Sequence, residues 1–144
     1  MKFPLWVLAS MATAALFAGG EGEPPVTYIN HEKVNEALAK NGSLVRASDL
    51  IVLGAHRAGA GESELHEKET DVFYIVDGSA TFITGGKMVG GKVTAPGQVR
   101  GTGIEGGDVH PLTRGDVIVI PAGVPHWFKE VQSISYTVVK VLKP

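Results

Sequence analysis

The chain has 144 residues, 19% of them charged, and a formal net charge of −2, enough for one domain with a modest core. That balance, without a basic cluster, offers no electrostatic footprint for nucleic acid. With no cysteine, a disulfide framework and a lipid-modified cysteine are both excluded, so stability must come from packing, alone or with a metal.

Lys2 precedes an apolar run from Leu5 to Ala18, and small residues close it at Ala18, Gly19 and Gly20. A short positive end, an apolar stretch and a small-residue exit predict a secretory signal peptide over residues 1–20, hence a secreted or periplasmic protein. A membrane anchor is the alternative. The run of about 14 apolar residues is short of the ~20 a spanning helix needs, so no membrane span is expected in the mature chain. Residues 21–43 are read as an N-terminal lead-in and a short helix. In NHEKVNEALAKN (30–41), Val34, Ala37 and Leu38 recur at helical spacing; Asn30 can cap the start and Gly42 the end. His31 falls in the first turn among polar residues and is read as solvated. Asn41-Gly42-Ser43 matches a glycosylation sequon, which the helix stop explains more simply.

Residues 44–144 are expected to be all-β. The segments 50–56, 71–77, 79–84, 116–121 and 133–142 are rich in Val, Ile, Tyr and Thr. Asp77-Gly78 is the two-residue signal of a tight hairpin and predicts pairing of the second and third segments. Nineteen glycines and eight prolines punctuate these strands with short turns, as in a barrel or a sandwich.

Residues 85–107 hold nine glycines and imitate two phosphate motifs. Gly86 to Val93 nearly spells a P-loop, but Val93 stands where a Ser or Thr should bind Mg. Gly101 to Gly106 fits GxGxxG. Neither opens a helix, so the helix N-terminus that would hold a phosphate is missing. The stretch is expected to be a long hairpin, with a lid over a pocket as the functional alternative.

Two stretches carry the chemistry. In GDVIVIPAGVPHWFKE (115–130), Gly115 is followed after five residues by Pro121-x-Gly123 and, two residues on, by His126. In the earlier stretch Gly59 leads to Glu64-x-His66, four residues lead to Asp71, and six more to Gly78. Together these stretches resemble the two motifs of the cupin superfamily, over roughly residues 45–142. The downstream motif matches through His126, with Glu130 in place of its closing Asn. The upstream motif has Glu64 for its first histidine, Asp71 for its glutamate, and one residue too few after Gly59.

The resemblance implies a small antiparallel β-barrel of the jelly-roll type, with a metal at its mouth held by Glu64, His66, Asp71 and His126. Glu64 and His66, one residue apart, point to the same face of a strand. Two imidazoles and two carboxylates suit a divalent cation such as Mn, Fe or Zn, with open positions for water or substrate. Asp71, shorter than the glutamate it replaces, is either the fourth ligand or a support that orients His66. His56, at the parity of Val52 and Gly54, is a candidate for the missing imidazole, the alternative being a strand-end histidine bonded to backbone. His110 is a more remote candidate. Two functions follow from such a site: a metal-dependent dioxygenase, isomerase or lyase acting on a small molecule, or a module that binds a small ligand or sugar without turnover. The expected partners are that small molecule and, as a homodimer, a second copy of the chain.

Overall fold

The structure, a computed structural model, describes residues 25–144; the signal peptide expected over residues 1–20 lies outside the described residues. One helix, α1 (His31–Lys40), precedes β1 (Ser43–Arg46), β2 (Leu50–Arg57), β3 (Ser63–His66), β4 (Glu69–Thr84), β5 (Lys87–Val89), β6 (Lys92–Ala95), β7 (Gln98–Gly101), β8 (Gly103–Glu105), β9 (Asp108–Thr113), β10 (Val117–Ile120) and β11 (His126–Leu142). Every pairing between these strands is antiparallel.

The helix forms where the caps predict. Asn30 Oδ1 accepts the Lys33 amide at 3.1 Å, an interaction worth about 1 kcal/mol. At the other end Asn41, not Gly42, takes the left-handed position, with φ 54°. Its side chain then accepts the His56 amide at 2.7 Å, which ties the helix stop to β2. The buried face, Ala37 and Leu38, lies on Gly54, where an added Cβ would stand 2.5 Å from the Leu38 nitrogen. Only glycine lets the helix lie so close to the strand.

The barrel is organised by β4 and β11, which pair along almost their whole length. Residues 71–77 and 79–84 do not form the expected hairpin: both belong to β4, which runs straight through Asp77-Gly78. A tight type I′ turn needs positive φ at both central residues, and here only Gly78 has it, at 81°. The pair bends the strand instead of reversing it. An added Cβ on Gly78 would lie 2.0 Å from the Ser133 carbonyl oxygen, so the partner strand crosses directly over the bend.

Three bulges accompany this bend. Val76 is an extra residue in β4, and Lys129 and Gln132 are extra in β11. Each adds local twist, and the inward face of β4 switches from Asp71, Phe73 and Ile75 to Ala80 and Phe82. On the side of β4 away from β11, β10 pairs with its first half and β9 with its second. Beyond β11 the flanking strands are β2 and β1 at one end, and β3, β7 and β6 at the other. The two ends of the ribbon thus carry different flanking strands of one nine-stranded sheet, whose core holds Phe73, Ile75, Phe82, Phe128, Ile134 and Tyr136.

The glycine-rich stretch is a hairpin within a hairpin. Its outer strands β5 and β8 pair with each other, while inner β6 and β7 join the main sheet through β3. Both phosphate-like motifs lie on these strands and turns, and β7 forms part of the site wall.

Candidate metal centre

Cross-strand register assembles the site. Glu64 on β3 stands opposite His126, the first residue of β11. On the other side of β3, Glu64 faces Arg100 and His66 faces Gln98. At the far edge, Asp71 on β4 faces Lys140 on β11. Directly opposed residues are close enough to interact through their side chains, and each of these pairs does.

His66 and His126 are 4% and 3% exposed, and their ring centroids lie 5.2 Å apart. His126 Nδ1 donates to the Val124 carbonyl at 3.1 Å, which fixes the proton on that nitrogen because a carbonyl can only accept. His66 is fixed by a longer relay. Lys140 Nζ donates to Glu69 at 2.8 Å, and Gln98 Nε2 donates to Glu69 at 2.8 Å. The Gln98 amide is thereby oriented with its oxygen towards His66, whose Nδ1 donates to it. Both rings are left presenting an Nε2 lone pair. Among the described residues, these two nitrogens and Ser63 Oγ are the buried side-chain atoms without a hydrogen-bond partner.

Both Nε2 atoms face Glu64 Oε2, His66 at 3.5 Å and His126 at 3.8 Å. The other carboxylate oxygen, Oε1, is held by Arg100 and by Arg57 at 3.4 Å. Burial works to raise the Glu64 carboxyl, but the nearby His66 ring and the charges of Arg100, His126 and Arg57 hold it at about 2. Burial also opposes a proton on His66; Glu64, helped by Asp71 and Gln98, outweighs burial and the Lys140 charge and moves the ring upward. His126 moves downward because burial dominates the Val124 bond and the Glu64 charge. The carboxylate that favours a proton between the rings favours a dication in the same place.

Of the expected four ligands, Glu64, His66 and His126 converge with their donor atoms within 4.8 Å of one another. Asp71 is not in that group; with His66 and Glu69 it forms a second set whose donor atoms lie within 4.8 Å of one another. Its Oδ2 is 3.5 Å from His66 Nε2, but both oxygens accept from Lys140 Nζ, at 2.9 and 3.0 Å. The orienting role considered for Asp71 falls to Gln98. His56 does not supply the missing imidazole. The residues of β2 that line the interior are Ile51, Leu53 and Ala55, so His56 has the opposite parity and lies outside, with Nδ1 2.9 Å from Ser135 Oγ. The bond is to a hydroxyl, not to backbone. His110 Nε2 is likewise taken, by Thr84 Oγ1 at 2.8 Å.

The three donors suit a single cation. Two ligands at roughly 2.0–2.2 Å from one ion lie about 3–3.5 Å apart, so the two histidine–carboxylate separations, 3.5 and 3.8 Å, need to close by only a few tenths of an ångström. Imidazole with carboxylate suits Mn, Fe or Zn. Beside the cluster opens a cavity of about 350 Å³, lined by Ile51, Leu53 and Ala55 of β2, Val138 and Lys140 of β11, and Gln98 and Arg100 of β7.

The cupin family profile matches residues 25–141. The chain is a cupin. Solved structures agree at the level of fold. Protein BH2720 of Bacillus halodurans superposes with a TM-score of 0.59 at 12% identity, covering 85% of this chain and 86% of that one. Protein NMB1881 of Neisseria meningitidis gives 0.53 at 14%, covering 80% and 99%. A conserved Klebsiella pneumoniae protein with a double-stranded β-helix domain gives 0.53 at 17%, covering 76% and 86%. No curated protein matches the sequence.

Cupin membership accounts for the motif positions. The residues around them were missed by the sequence reading, and only some carried a signal. Lys140 continues the buried series Ile134, Tyr136, Val138 at the same parity, so a cation on an inward face was legible. Arg57 likewise continues Ile51, Leu53 and Ala55. Gln98 and Arg100 sit in the glycine-rich stretch, where nothing local marks them.

Proposed function

We propose that Glu64, His66 and His126 hold one divalent cation of the Mn, Fe or Zn group, and that this cupin is a metal-dependent enzyme acting on a small molecule in the adjoining cavity. The observation that carries the reading is the pair of buried, unpartnered Nε2 atoms facing one carboxylate oxygen. Leaving two such nitrogens unsatisfied costs about 1–3 kcal/mol each, a cost that cation binding removes. Arg57 and Arg100 keep Glu64 ionised and hold one of its oxygens, so the other is presented to the imidazoles. Three protein donors leave the cavity side of the site free for a substrate. When bound, the cation supplies a Lewis acid that polarises a substrate oxygen or carbonyl. Dioxygenase, isomerase and lyase chemistries all use such a centre.

Elemental analysis of protein purified without chelators tests the reading. About one Mn, Fe or Zn per chain is expected, together with turnover of a small molecule that stops when the metal is stripped. Substoichiometric metal that is unaffected by His126→Ala would sink it. Ligand affinity without any product would instead place the protein among non-catalytic binding modules.

A further inference from the structure

The charged side chains around the cavity are not evenly paired. Lys140 is committed to Asp71 and Glu69, and Arg57 donates to Tyr136 at 3.0 Å and to Glu64. Arg100, which lines the cavity, uses one nitrogen on Glu64. Arg46, on β1 at the same cavity, is exposed and has no carboxylate within 4 Å among the described residues. Three cations that line the cavity, Lys140, Arg100 and Arg46, therefore stand against Glu64, Glu69 and Asp71; those carboxylates are taken by the first two, so Arg46 is left over and a bound metal adds positive charge beside it. Ile51, Leu53 and Ala55 of β2, with Val138 beside them on β11, make an aliphatic part of the lining that offers a sugar nothing to hydrogen-bond.

We propose that the molecule taken by this cavity is a small carboxylate with a short apolar body, its anionic group held by Arg46 and Arg100 and its chain lying along β2. The inference deepens the metal-enzyme reading, on which it rests for the identity of the reacting end. Guanidinium groups suit a carboxylate because their paired N–H groups match its two oxygens. A volume of about 350 Å³ lies at the small end of ligand cavities, roughly 300–1,000 Å³, and matches a small molecule.

Hexanoate and its uncharged isostere hexanamide separate charge from shape. Each is titrated into zinc-loaded, ¹⁵N-labelled protein while the amide resonances of Arg46, Leu53 and Arg100 are followed. Hexanoate should saturate these shifts at a concentration on the order of tenfold below hexanamide, as a charge-assisted hydrogen bond requires. Arg46→Gln should abolish most of that preference while the spectrum stays dispersed and the zinc content stays at the wild-type value. Equal titrations for the two probes would overturn the proposal, as would a hexanoate preference that survives Arg46→Gln, because the metal alone would then explain it. The two readings fail separately. Protein that binds no zinc yet keeps an Arg46-dependent preference retains the anion site and loses the metal enzyme. Stoichiometric zinc without the preference does the reverse.

Discussion

Four histidines of this barrel form two pairs with opposite arrangements. His56 and His110 are half-buried, and each meets a hydroxyl, Ser135 at 2.9 Å and Thr84 at 2.8 Å. His66 and His126 are buried, and each is anchored through Nδ1 by an acceptor, the Gln98 amide oxygen or the Val124 carbonyl. The difference is chemical. A hydroxyl donates or accepts as it rotates, so it satisfies either tautomer and leaves the ring uncommitted. A fixed acceptor forces the proton onto Nδ1 and leaves the lone pair of Nε2 for something else. What marks a ligand here is which nitrogen remains.

The largest expected effect separates the two pairs directly. His66→Ala and His126→Ala should each strip the protein of metal, well beyond the ~10–100-fold cost of losing a supporting residue. Metal content per chain after equal dialysis is the measurement. Proton and metal compete for the same nitrogen. Because the folded environment raises His66 above its ordinary 6.5, metal loading should begin to fall while the pH is still above that value. Loading that stays constant down to about pH 5 would mean that no imidazole titrates against the metal.

The next effect falls on stability. Lys140→Met would leave Asp71, 2% exposed, as a buried carboxylate without its cation, a loss of about 3–5 kcal/mol. Burial works against the Lys140 charge, but Asp71 and Glu69 outweigh it and raise the ammonium above its ordinary 10.5. That stabilisation is complete below 10.5 and is lost as the pH rises through the raised value. Glu69 is held below its ordinary 4.5, burial being overcome by Lys140, His66 and Gln98. Its share is present above 4.5 and lost as the pH falls through the lowered value. The gap in denaturant midpoint between wild type and variant should therefore be widest between 4.5 and 10.5 and close at both ends. A gap that ignores pH would show that packing, not charge, is what Lys140 contributes.

These residues also mark how far the sequence could be read. The motif residues Glu64, His66 and His126 were legible because their spacing is local, and Lys140 could have been found from the parity of Ile134, Tyr136 and Val138. The β-barrel followed from the strand-forming segments and their turns. The course of β4 did not, because Asp-Gly favours a positive φ without specifying whether the chain reverses or only bends. Ser133 decides that: it stands across from Ser79, and its carbonyl closes on Gly78. Gln98 was out of reach for the same reason. Its place opposite His66 depends on the register of β3 with β7, a contact 32 residues apart in the chain.

Gln98→Leu tests whether the anchor matters as well as the ligand. The substitution keeps a side chain of similar size but removes the acceptor for His66 Nδ1 and the link to Glu69. Metal affinity should fall ~10–100-fold, less than in His66→Ala, with the fold retained. Unchanged affinity would mean that the strand geometry alone holds the ring.

The smallest effect should come from the outer pair. His56→Ala removes one hydrogen bond to Ser135 from a half-buried position, while Asn41 keeps its bond to the residue-56 amide, a backbone contact. The expected loss is about 1 kcal/mol of stability, the ordinary net value of one hydrogen bond, read from the denaturant midpoint. Metal content should equal that of wild type, because His56 lies on the opposite face of β2 from the cavity. A fall in metal comparable to that in His126→Ala would show that His56 reaches the interior in the working protein. The partner hydroxyl would then fail as a sign of a structural histidine, and the contrast between the two pairs would fail with it.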